Sequence, residues 1–202
     1  MPQMYILAGC NGSGKTTASY NGLPGIFDCS EFVNSDEFAK SLAPFNPESV
    51  PVQASRYMLL KTKYLFAKRM DFSIETTLAT RSLVKMVKAA RAQGYFVTVF
   101  YMWLSSPELA IARIRARVDA GGHFIPEETV RRRYYTGLKY FFDVYVPECD
   151  RWILADNSKS PFTVIAEGGG PLVHIRDSEK YDITWAIAHP PQTEESTEDD
   201  LR

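Results

Sequence analysis

Eight residues constrain this chain more than any others: "GCNGSGKT", Gly9 to Thr16, follows the apolar run "MYILA" and precedes "TASY". The pattern G-x-x-x-x-G-K-[ST] between an apolar strand and a helix needs its glycines so that backbone N–H groups can curl round a phosphate. In that arrangement Lys15 reaches the β- and γ-phosphate oxygens and the Thr16 hydroxyl holds Mg²⁺. Gly9, Cys10, Asn11, Gly12, Ser13, Gly14, Lys15, Thr16 and Thr17 are therefore expected to bind a nucleoside triphosphate. No N-K-x-D guanine motif follows, which favours ATP.

The rest of the chain alternates strand and helix patterns. "EFVNSD", "DFSIETT" and "DRWILADNS" read as strands, and "YFVTVFYMWL" is too continuously apolar for a strand with one wet face. "EFAKSLA" reads as a turn of helix. "RSLVKMVKAARAQG" reads as a helix with Leu83, Val87 and Ala90 on one side and Gly94 at its C-terminal cap. "NPESVPVQASRYMLLKTKYLFAKRM" reads as mostly helix, with Val52, Leu59 and Phe66 repeating at sevens as its apolar face. "FTVIAEGGGPLVHIRD" reads as a hairpin turning at its glycines. The predicted fold class is α/β: a P-loop kinase-type parallel sheet of about five strands with helices on both faces, a helical lid and a C-terminal β-hairpin. Ligands then gather at the carboxyl ends of the strands. The 202 residues suit one domain, expected over 1–189, with the acidic "PPQTEESTEDDLR" from Pro190 to 202 as a disordered tail.

Net charge of −1 makes the arginines a local feature, which argues against nucleic acid as a partner. Cys10, Cys29 and Cys149 are too scattered for a disulfide framework or a zinc site. No signal peptide or membrane-spanning run is evident, so the expected location is the cytoplasm.

Among nucleotide-binding classes, transporter ATPases carry L-S-G-G-Q, which is absent, and ring ATPases need a further helical domain. A kinase needs a phosphate loop, a carboxylate that takes a proton from an acceptor hydroxyl, an acceptor pocket and mobile cations. Asp36, placed at the end of the second strand in "FVNSDEF", fits the base or helps order the metal shell; the plain alternative is a helix cap. Glu75, Thr76 and Thr77 in "FSIETTLATRS" can grip the acceptor by hydrogen bonds and Arg81 by pairing with a substrate phosphate. The alternatives are that Glu75 binds a Mg²⁺ water and that Arg81 only begins a helix. A rival from another class is a regulatory ATP-binding module that phosphorylates nothing.

"RIRARVDAGGHFIPEETVRRRYY", residues 113–135, carries six arginines in two helices about a glycine hinge. Ile111, Ile114 and Val118 share one face of the first helix; Val130, Tyr134, Gly137 and Phe141 line the second. Such a lid can bring guanidinium groups to a γ-phosphate. Arg117 and Arg133 are the expected catalytic arginines, followed by Arg113, Arg131 and Arg132, while two or three of the set are solvated surface. His123 in the hinge is expected to position or support rather than act as a base.

"YILAGCNGSGKTT", "FVNSDEFAKSLAPFNPES", "SIETTLATRS", "VRRRYY" and "ADNS", in that order, resemble the compact bacterial zeta-toxin-like proteins over roughly residues 4 to 165. The resemblance implies an ATP- and Mg²⁺-dependent kinase that phosphorylates the amino-sugar 3′-hydroxyl of UDP-N-acetylglucosamine, and a small antitoxin as partner. It implies Lys15 as the loop lysine, Asp36 as the base, and Glu75 and Thr77 as acceptor-binding residues. The chain departs from the family where the arginine expected just behind Thr77 is displaced to Arg81. A second departure is "GGHFIP", which stands where the larger toxins place an arginine before a proline.

Overall fold

A seven-stranded sheet in the order β2-β3-β1-β4-β5-β6-β7 organises the chain, which we describe from a computed structural model over residues 1–21, 29–122 and 124–191. The strands are β1 (Gln3–Ala8), β2 (Phe32–Val33), β3 (Phe72–Thr76), β4 (Phe96–Trp103), β5 (Arg151–Asp156), β6 (Thr163–Gly169) and β7 (Leu172–Ile175). The helices are α1 (Lys15–Asn21), α2 (Ser35–Leu42), α3 (Pro51–Lys68), α4 (Ser82–Ala92), α5 (Pro107–Asp119), α6 (Glu127–Tyr140) and α7 (Ser178–Ala188). β2, β3, β1, β4 and β5 run parallel, and the hairpin β6–β7 extends the same sheet antiparallel beyond β5. This is the expected fold class.

The apolar strands are central because both of their faces are covered. Met4, Ile6, Leu7 and Ala8 of β1 are buried, as is β4 from Val97 onward. Chain order reverses across β1, with β3 on one side and β4 on the other, which opens a crevice at the carboxyl edge. The register sets its walls: Ala8 pairs with Thr76 on one side and Tyr101 on the other, so the loop after β1 emerges beside the end of β3.

α4 buries Leu83, Val87 and Ala90 as its periodicity demands, and Gly94 takes a positive φ of 77° just past its end. α3 corrects the sequence reading. Its buried positions are Ala54, Thr62 and Leu65, while Val52 and Leu59 are 58% and 52% exposed. A strict seven-residue row drifts by about 20° per heptad on a straight α-helix, so the row that reaches the core at Phe66 has turned to solvent at Val52. α7, which the sequence reading left unassigned, is capped by Asp177 and buries Thr184 and Ala188, a polar and a small residue that leave no apolar stripe to read. Of the expected acidic tail, residues 192–202 lie outside the described residues. No helix among the described residues is long and apolar enough to cross a membrane.

Candidate active site

Close neighbours leave no room for side chains at two glycines of the phosphate loop. A Cβ at Gly12 would lie 2.6 Å from the Ala110 carbonyl oxygen, and one at Gly14 would lie 2.5 Å from Nδ2 of Asn157; φ is +79° and +89° at the two glycines. Lys15 is buried and its Nζ donates to the Cys10 carbonyl at 2.9 Å. The Ser13 hydroxyl is fully buried without a hydrogen-bond partner among the described residues. Asn157, just past β5, donates from Nδ2 to the Ser13 carbonyl at 2.7 Å and fixes the loop from the opposite side. Burial pushes the Cys10 thiol up to about 11, so it stays a neutral lining group.

Two carboxylates flank this loop, one at the end of a strand and one in the first turn of a helix. Glu75, at the end of β3, accepts from the Thr16 hydroxyl at 2.9 and 3.1 Å and from Nδ2 of Asn34 at 2.8 Å, with Lys15 Nζ 3.9 Å away. Burial raises the Glu75 pKa against the pull of Lys15, and burial lowers that of Lys15 against the pull of Glu75. The carboxylate thus faces the loop and its hydroxyl. Asp36 is not at a strand end: β2 stops at Val33, and Asp36 sits in the first turn of α2 with an exposed side chain. Nor is it the cap, since Asn34 takes that place by accepting from the Asp36 N–H at 2.8 Å. The Asp36 carboxylate bears electrostatically on Lys15, Glu75 and Arg133 together.

The segment after β3 is clamped by α6 and the wide helical turn that continues it over Phe141–Tyr145. The Leu78 N–H donates to the Thr76 hydroxyl at 3.1 Å, Leu78 is buried at φ +54°, and the Tyr145 hydroxyl donates to the Thr80 carbonyl at 2.6 Å. Arg81 lies over the Tyr140 ring, 5.3 Å from its centroid. At Gly137 the helix approaches so closely that an added Cβ would stand 2.5 Å from the Thr77 carbonyl oxygen. Gly137→Ala is accordingly expected to destabilise the fold by about 1–3 kcal/mol through overpacking. Urea denaturation checks this; a variant as stable as the parent would mean that α6 is free to draw back from Thr77.

The lid arginines part company. Arg133, half-buried on α6, donates to Oδ1 of Asn11 in the phosphate loop at 2.9 Å. Arg117 is exposed in the last turn of α5, near enough to Lys15 to oppose its charge. Arg113 donates instead to the carbonyls of Asn157 and Ser158 at 2.9 and 3.0 Å, which braces the end of β5. Arg131 pairs with Glu108 and Arg115 with Glu127, both on the surface, and Arg132 points outward. His123 lies outside the described residues. Sequence reasoning missed Asn34 and Asn157, because an asparagine beside a strand end reads as a turn or cap residue.

The glycine cradle and the buried Ser13 hydroxyl suit a polyphosphate, and the adjoining Thr16 and Glu75 oxygens suit a hard divalent cation. Comparison with known proteins agrees with this architecture. A protein of unassigned role from Haemophilus influenzae is 35% identical over 128 residues, covering 62% of this chain and 88% of its own. The AvrRxo1-ORF1:AvrRxo1-ORF2 complex with sulphate ions superposes with a TM-score of 0.76 at 16% identity, over 97% of this chain, which spans 66% of that one. The PezAT toxin-antitoxin system of Streptococcus pneumoniae gives a TM-score of 0.68 at 14% identity, over 96% of this chain and 81% of that one. The Zeta toxin family matches residues 47–157, more than half of the sequence. The chain belongs to the zeta-toxin family and is built as a P-loop kinase.

Proposed function

We propose that the protein transfers the γ-phosphoryl group of ATP to a hydroxyl of a small acceptor, with the amino-sugar 3′-hydroxyl of UDP-N-acetylglucosamine as the first candidate. The observation that carries this reading is the closure of loop, carboxylate and lid around one cleft: Thr16 2.9 Å from Glu75, and Arg133 2.9 Å from Asn11. The loop from Gly9 to Thr17 binds the phosphates through its N–H groups, and Lys15 turns from the Cys10 carbonyl to the β/γ oxygens. Thr16 and Glu75 would hold Mg²⁺, which when bound would supply charge neutralisation for the phosphates. Asp36 takes the acceptor proton. Arg133 and Arg117 stabilise the charge that develops on the transferring group. Thr76, Thr77 and Arg81 line the acceptor side, with Glu75 at its border. The reading places the protein in the cytoplasm and gives it a small inhibitory protein as partner, as in a toxin-antitoxin system.

The acceptor is tested by ³¹P NMR of UDP-N-acetylglucosamine incubated with the protein and Mg-ATP. The expected result is a new phosphomonoester resonance coupled to the proton on C3 of the sugar. A product formed only from other sugar nucleotides, nucleosides or a polynucleotide end would move the acceptor while keeping the chemistry. ATP binding with no product from any acceptor would leave the regulatory module standing instead.

A further inference from the structure

We infer that Asn34 is a positioning residue for the transfer, holding Glu75 and the start of α2 in fixed relation; this deepens the functional reading above and rests on it. Capping α2 requires only a side-chain oxygen, which Ser, Thr or Asp supplies as well. Asn34 caps with Oδ1, accepting from the Asp36 N–H at 2.8 Å, and its Nδ2 donates to Oε2 of Glu75 at 2.8 Å. Only 5% of Asn34 is exposed, so the carboxamide is held between these two partners.

Glu75 is also held by the Thr16 hydroxyl and faces Lys15 at 3.9 Å. Both of those groups belong to the phosphate loop, which the functional reading above commits to phosphate and ion. Asn34 belongs to the opposite wall, between β2 and α2. It is the donor that keeps Glu75 in place during turnover, and through the Asp36 N–H it sets the candidate base relative to Glu75. Its contribution therefore appears in the loaded protein more than in the stability of the free one.

Asn34→Ser preserves an N-cap oxygen and deletes the donor to Glu75, while Asn34→Asp keeps the shape and cap but sets a second carboxylate against Glu75. Both are compared with the parent by steady-state Mg-ATP turnover and by melting temperature, and the Ser variant is made also in a Glu75→Ala background. The expected result for Asn34→Ser is a kcat lower by about 10- to 100-fold, the range typical of residues that orient a ligand-binding group, with KM for ATP unchanged within about twofold. Asn34→Asp falls further, and it carries the test alone should the Ser variant not fold. In the Glu75→Ala background the same Ser substitution costs less than about twofold, since nothing remains to be positioned. A lowered melting temperature with kcat unchanged, or an equal loss in both backgrounds, overturns the inference and leaves Asn34 a helix cap. A parent protein that turns over no Mg-ATP with any acceptor offered sinks the functional reading, and this inference with it.

Discussion

Lys15→Met is expected to lower kcat/KM for ATP by about 10²- to 10³-fold, the usual cost of removing one preorganised group from developing charge. Lys15 is buried in the crook of the loop, and its Nζ rests on the Cys10 carbonyl. Burial disfavours its charge and Glu75 restores part of it, so the ammonium is held in a dry site where attraction to a phosphate is strong. Deleting one member of a buried ion pair costs about 3–5 kcal/mol when the other charge is left without partners. Here the loss is smaller, because Glu75 keeps hydrogen bonds from Thr16 and Asn34 and the ion pair spans 3.9 Å. The variant should therefore fold and fail in turnover. Turnover kept within tenfold of the parent, an arbitrary but wide margin against the loss expected of such a group, would remove Lys15 from the chemistry.

The second large effect is at Asp36. Asp36→Asn is expected to reduce phosphoryl transfer by about 10²- to 10⁴-fold, the range of a lost general base, while ATP binding stays as it was. The substitution preserves size, and the backbone N–H of residue 36 remains tied to Asn34, so α2 should not move. The two substitutions are expected to act on different parts of one cleft: Lys15 lies in the phosphate loop, and Asp36 sits in the first turn of α2, near enough to act on the Lys15 charge. Calorimetry with a non-hydrolysable ATP analogue separates them. If Asp36→Asn weakens nucleotide binding as much as it slows transfer, Asp36 is a binding residue and another group takes the proton.

Much of the cleft could be read from residue order because it depends on local patterns. The glycine spacing of the loop and the continuous apolar run of β4 each act within a few residues, and each appears where expected. What escaped depends on register and on how elements pack. Asn34 meets Glu75 only because β2 pairs with β3 so that Val33 lies opposite Ile74, which brings residues 34 and 75 side by side. Asn157 meets the phosphate loop because β4 and β5 end in step, Trp103 opposite Asp156. The six arginines look alike in sequence, yet Glu108 and Glu127 claim two of them on the surface and the end of β5 claims Arg113. Arg133 sits next to the buried Tyr134 of α6, and that position carries it to Asn11.

The central claim is that the terminal phosphoryl group passes to an acceptor hydroxyl rather than to water. It is tested most directly by following the γ-label of ATP through a single turnover with UDP-N-acetylglucosamine present, in the parent and in Asp36→Asn. The account predicts label in the sugar nucleotide with the parent and its near-complete loss with the variant. Label released only as inorganic phosphate, at the same rate in both proteins and with every acceptor offered, would contradict it.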